Sequence, residues 1–273
     1  SIEEWDAATG AIRPYPAMIA GEKAGAVFEL PPAGSLLLFL SRSEGKNPHM
    51  VPPRPGPIAP EGKPAIRRLQ PNVLTLDYVD LTVAGVTTKD MYVLKACNSI
   101  FQKHGMERNP WDRAVQFKDE LITRKFPPGS GFEATYRFTI EEKVPTSLEI
   151  VIERPDLYSI ICNGRTVSVT KGAWWLDKAF GRIDIHNMAE VGENAVTLKA
   201  APMTIWHELD CAYVLGDFAL KPAERGFTIV PAANLTFGVW TEQGHHFYAA
   251  GVAYTQKFEV PKKAGRYEVA LGR

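Results

Sequence analysis

The chain has 273 residues, 45% of them hydrophobic and 23% charged, with 31 basic and 31 acidic side chains. That composition suits a folded globular protein and excludes a disordered or fibrous one. The zero net charge argues against grip on a nucleic-acid backbone, and no acidic tail or basic arm is present. The longest apolar run, Ser35–Leu40 (SLLLFL), is far short of the ~20 residues needed to span a bilayer, so it reads as a buried strand and no membrane partner is expected. Ser1 in place of an initiator methionine reads as the start of a piece cut from a longer chain. Cys97, Cys162 and Cys211 are odd in number and widely spaced. They read as buried free thiols, or as one disulfide with a spare thiol, rather than as a zinc pattern.

Residues 1–44 hold short strand-like runs, "IEEWD", "GAVFEL" and "SLLLFL", between Gly and Pro turns. So little β-structure cannot close its own core, and it reads as the last strands of a truncated β-sandwich. Seven of the 21 prolines fall between Pro48 and Pro64, and residues 45–66 read as an extended interdomain linker, with a polyproline ligand as the alternative.

Residues 67–225 read as the main domain. "NVLTLDYVDLTVAG" alternates like a strand, with a slip near Val79–Asp80 that suggests a bulge. Residues 92–104 then read as a helix ended at Gly105. From Gly131 onward, short runs rich in Ile, Val, Thr, Tyr and Phe alternate with "NG", "GR" and "GEN" turns. Asn163-Gly164 carries the signature of a two-residue hairpin, whose type I′ turn needs positive φ at both positions. Several short strands at even spacing point to a mainly β fold, a sandwich or jelly roll with a short helical insertion. Residues 226–273 read as a C-terminal β extension or the start of a second truncated sandwich. Their Gly251/Phe258 spacing echoes Gly131/Phe138.

No metal, phosphate or nucleophile motif is found. Adjacent His245 and His246 point to opposite faces of a strand and do not make a zinc site. No Gly-rich phosphate loop and no GxSxG elbow occur. A glycosidase needs two carboxyl groups flanking one bond, and no pair can be assigned from this sequence. Glu149 and Glu153 share one strand face and read as solvated; Glu208 and Asp210, in "WHELD", either line a cleft or supply edge-strand polarity.

Aromatic rings are the remaining chemistry. A sugar presents apolar C–H faces and hydroxyls, and is held by a flat ring plus a few donors and acceptors. The residues that can supply these are Trp174, Trp175, Trp206, His207, Trp240, Gln243, His245 and Tyr248. The competing reading makes each tryptophan half-buried core, and alternation would send one of Trp174 and Trp175 inward. "WTEQGHHFYAAGVAY" reads as a loop entering a strand, with a sugar-contacting rim as its functional alternative.

The phrases "YRFTIEE", "LEIVIERPDLYSIICNGRTV", "WWLDKAFGRIDI", "VGENAVTL" and "ELDCAYVLGDFAL" resemble the galactose-binding-like β-sandwich of large bacterial glycoside hydrolases. The order of strand, "NG" hairpin, "GEN" turn and strand is similar to family 2 β-glycosidases. "LGDF" and "GHHFYAAGVAYTQKFEV" look most like the C-terminal region of α-L-rhamnosidase-type enzymes. The resemblance implies a galactose-binding-like jelly roll and a non-catalytic accessory region, either carbohydrate-binding or purely structural. It implies a carbohydrate partner, a catalytic domain elsewhere in the parent chain, and a periplasmic or secreted location. No cofactor is expected; a structural calcium ion is common in such folds, but no dense acidic loop places one here.

Overall fold

The computed structural model describes residues 1–21, 23–28, 30, 34–42, 58–112, 119–169 and 172–260, which fall into two compact units. The first takes Ser1–Pro60 with Phe258–Arg273. Its described strands are β1 (Ile2–Trp5), β2 (Ile12–Pro14), β3 (Met18–Ala20), β4 (Lys23–Gly25) and β5 (Leu38–Leu40). β1 pairs antiparallel with β2 and β5, and β3 pairs with β4. The Asp6–Gly10 turn forms because the Asp6 carboxylate accepts the backbone N–H groups of Ala8 and Thr9 while Gly10 takes φ +72°. Most of the Pro-rich stretch lies outside the described residues; its end, from Pro60, is strand rather than free linker.

The second unit, Glu61–Lys257, is a β-sandwich. It starts with β6 (Pro60–Arg68), β7 (Asn72–Leu76), β8 (Tyr78–Val83) and β9 (Val86–Tyr92), then α1 (Val93–Lys103) and the one-turn α2 (Asp119–Ile122). β10 (Phe132–Ile140), β11 (Leu148–Glu153), β12 (Ser159–Cys162), β13 (Arg165–Val167), β14 (Trp174–Trp175), β15 (Asp177–Asp184) and β16 (Gly192–Ala200) follow. The unit ends with β17 (Ala212–Gly216), β18 (Phe218–Pro222), β19 (Phe227–Pro231) and β20 (Val252–Phe258). One sheet runs β14-β15-β11-β17-β7; the other runs β13-β12-β16-β10-β19-β18, with β8 also on β10 and β9 on β8. β6 and β20 form a separate two-stranded ribbon. β19 meets β10 in parallel at Ile140 and Ile229, so the sandwich continues past residue 225, where the sequence reading ended it.

The core lies between the two sheets because alternate residues point inward. Phe132, Ala134, Tyr136, Phe138 and Ile140 of β10 face Leu148, Ile150 and Ile152 of β11, all almost fully buried. Helix α1 closes one side with Val93, Ala96, Cys97, Ile100 and Phe101, and stops as expected at Gly105, φ +78°. Pairing of β8 with β9 shifts register between Val79 and Leu81, which is the bulge the sequence suggests. Asn163 (φ +47°) and Gly164 (φ +77°) form the hairpin between β12 and β13. The Asn163 amide donates to Oδ1 of buried Asn194, tying this hairpin to the "GEN" turn. All three cysteines are free thiols.

Register fixes what each end of the five-stranded sheet carries. Glu153 lies opposite Phe180, and Trp174 shares Gly181 as a neighbour with Ile152, so these residues sit at one end. Leu148 opposite Gly216, itself opposite Asn72, marks the other end.

Candidate functional site

At the Glu153 end, residues 201–211 loop from β16 to β17. This stretch was expected to contain strand, but strand begins only at Ala212. The loop is held from below by His207, which is 3% exposed. Its Nδ1 accepts the Thr204 backbone N–H at 2.8 Å, which leaves Nε2 to carry the proton and donate to Leu157 O at 2.8 Å. Burial holds the imidazole below its ordinary pKa, so it is a neutral strut.

Above it, Trp206 is 42% exposed and stacks on Trp111, with centroids 5.1 Å apart and planes at 15°. Trp111 stands on a short 3-10 turn, Pro110–Asp112, and its Nε1 donates to Ile205 O at 2.7 Å. Asn109 starts that turn, accepting the Trp111 N–H and donating Nδ2 to Glu208 Oε1 at 2.7 Å. Its own N–H is held by Asn98 of α1 at 2.9 Å. The helical insertion thus fixes the second ring and the Glu208 carboxylate together.

Glu153, Glu208 and Asp210 are electrostatic neighbours. Burial first, then the charges of Asp210 and Glu208, push the Glu153 carboxyl above its ordinary pKa. The loop carbonyls are tied down as well: Tyr158 donates to Glu208 O and Tyr136 to Asp210 O. Among the described residues no cluster of His, Cys, Asp and Glu is arranged to hold a metal ion. Burial pushes the Cys97 thiol up to about 12 and the Cys211 thiol to about 11, so neither is an activated nucleophile near neutral pH. The cluster can stack a ring and accept hydrogen bonds from it.

The other sequence-selected residues fall into two further groups. Neither Trp174 nor Trp175 enters the main core. A register break separates them, and Leu176 takes φ +63°. Trp174 is 49% exposed, while Trp175 packs on Tyr213 at 5.1 Å in a small apolar cluster with Phe180, Val73, Val151 and Leu215. The two rings part as alternation leads one to expect, one exposed and one packed, but Trp175 packs on this small cluster and not in the main core.

Trp240, Gln243, His245 and Tyr248 come together in one loop. Trp240 stacks on Tyr248 at 6.3 Å and meets Tyr254 edge-on, and Tyr254 stacks on exposed Phe237. Gln243 is a brace: its Oε1 accepts the Thr236 N–H at 2.8 Å and its Nε2 donates to Thr236 O at 3.2 Å. Tyr248 Oη accepts from Leu69 N and Gln70 N and donates to Gly251 O. His245 is 3% exposed. Asn72 Nδ2 donates to Gly244 O, which places this loop at the Asn72 end of the sheet, away from Trp206. Trp111 and Asn109, in "RNPWD", were not singled out from the sequence.

No protein-family model matches the chain, and a search of curated proteins returns no match. Among solved structures, a rhamnosidase from Novosphingobium sp. PP1Y aligns over 78% of this chain and 20% of its own, at 14% identity and TM-score 0.24. An FMN-binding beta-glucuronidase from Facaelibacterium prausnitzii L2-6 aligns over 62% of this chain and 28% of its own, at 10% identity and TM-score 0.27. The chain therefore spans between a fifth and three tenths of those two chains.

Proposed function

We propose that the second unit is a galactose-binding-like, non-catalytic carbohydrate-binding module, an accessory part of a glycoside hydrolase whose catalytic domain lies elsewhere in a longer, exported chain. The observation that carries this reading is the Trp206–Trp111 stack, half-open to solvent, with a braced carboxylate two residues away. The C–H face of a pyranose rests on Trp206, and its hydroxyls donate to Glu208 and Asp210. Rigid rings and a carboxylate already held by Asn109 limit the ordering cost of binding. A structural module is the competing reading, favoured by the exposed Trp174 and Leu176 beside the apolar cluster of Trp175 and Tyr213.

The test is tryptophan fluorescence of the folded chain titrated with rhamnose, galactose and galacturonate. A saturable change with one sugar, weakened about tenfold or more by Trp206→Ala, supports the binding module. A flat response from a folded sample refutes it and leaves the structural reading.

A further inference from the structure

At the Asn72 end of the same sheet lies a cleft of about 470 Å³, built from the end of β6, the start of β11, the β17–β18 corner and the segment after β19. Arg68, Ser147, Asp217, Asn234 and His245 contribute to its wall. Arg68 Nη2 pairs with Asp217 Oδ1 at 2.6 Å; the Arg68 side chain is 11% exposed and that of Asp217 is 64% exposed. Arg68 Nη1, Asn72 Oδ1 and His245 Nδ1 are buried without a hydrogen-bond partner. His245 is 3% exposed and Asn72 is fully buried. The three are neighbours: Asn72 Nδ2 donates to Gly244 O, immediately before His245, and Arg68 acts electrostatically on the His245 ring. Arg68 and His245 line the cleft, and Asn72 adjoins them through Gly244. Buried polar atoms are nearly always satisfied, so this group of orphans calls for a ligand-based account.

We propose that this cleft is a second binding site, for a neutral polyhydroxylated ligand whose hydroxyl groups bridge Arg68, Asn72 and His245. The donor set argues for hydroxyls. Arg68 Nη1 only donates, Asn72 Oδ1 only accepts, and the neutral imidazole offers either role according to its tautomer. A polyol carries several hydroxyls that each give and take, so one ligand can serve both kinds of atom. An anion can engage only the donors and meets the Asp217 carboxylate at the rim. A cation can engage only the acceptors and meets Arg68. Each orphan atom exposes less than 1 Å², so the ligand enters as the Arg68 side chain swings outward on its Asp217 pair. The site is independent of Trp206, which lies at the other end of the strands. β11 alone, from Leu148 to Glu153, sets the two ends ~17 Å apart at ~3.3 Å per residue.

The experiment is a nitrogen-15 NMR titration of the His245 ring in the full chain, with rhamnose, galactose and glycerol as probes and inorganic phosphate as the anionic control. A saturable shift of the His245 ring nitrogens with one of the polyols, at least tenfold weaker in Arg68→Gln, is the expected result. Ala233→Trp, at an exposed position on the cleft wall, tests access without touching the polar cluster and should abolish the shift. Trp206→Ala should leave the His245 shift intact, so the two sites fail separately. No saturable shift with any polyol, a stronger response to phosphate, or an undiminished shift in Ala233→Trp would overturn the proposal.

Discussion

Replacing His245 by glutamine should change how stability depends on pH. Burial first, then the positive charge of Arg68 and the neighbouring His246, lowers the His245 pKa from 6.5 to about 4. The folded protein therefore keeps this ring neutral in a range where the unfolded chain protonates it. Between pH 6.5 and 4 the unfolded state binds more protons, so stability rises with pH across that window. The contribution is fully present above pH 6.5 and is lost as pH falls toward 4. With these two pKa values the penalty is about 0.2 kcal/mol at pH 7 and about 2.5 kcal/mol at pH 4.5, approaching about 3.4 kcal/mol at the acid limit. His245→Gln also loses ring packing against Tyr248, but that loss does not depend on pH. Urea unfolding of both proteins at pH 7 and pH 4.5 isolates the titration. The wild type should lose about 2 kcal/mol more than the variant on acidification. Parallel pH profiles would show that His245 is not held neutral by burial, and would refute the reasoning.

Gly244→Ala should destabilise the second unit by roughly 2–4 kcal/mol, read from the same urea curves. Its Cβ would meet Ala219 Cβ at 2.7 Å and Leu220 N at 2.8 Å, at a residue with φ +78°. Gly164→Ala shares the positive φ (+77°) but meets nothing within 4 Å, so it should cost only about 1 kcal/mol; equal losses would show that crowding at Gly244 does not matter. Glu153→Gln should act with the opposite pH sign to His245. A carboxyl with a raised folded pKa favours the fold at low pH and weakens it as pH rises through that value. The glutamine variant should therefore have a higher Tm than the wild type at pH 7 and the same Tm at pH 3. A lower Tm at pH 7 would mean that the Glu153 charge stabilises its surroundings.

Much of the sandwich was legible because its signals are local. β10 alternates along "FEATYRFTI", Asn163-Gly164 names its own turn, and Gly105 names the end of the helix. The register slip near Val79 could be read from the apolar phase alone. Where the local rule was weak, the reading departed from the structure. "TIWHELD" has strand-like composition, but it is a loop braced by the buried His207 ring. Trp175 packs on the small cluster around Tyr213 and not in the main core, which alternation alone does not tell.

The candidate sites were legible as residue types and not as constellations. Trp206, Glu208 and Asp210 stood out as neighbours in the chain. Trp111 and Asn109, about a hundred positions away, join them only because the insertion after α1 folds back onto the loop. Likewise, the sequence singled out His245 among Trp240, Gln243 and Tyr248 but could not supply Arg68 or Asn72. Periodicity and turn chemistry act over a few residues, so the chain by itself determined strands, turns, helix and fold class. Burial and partner choice depend on which distant segments meet, so only the packed structure decided that His207 and Gln243 are braces and that Trp206 is a half-exposed ring stacked on Trp111. The same packing set the orphaned cluster around His245 beside a cleft.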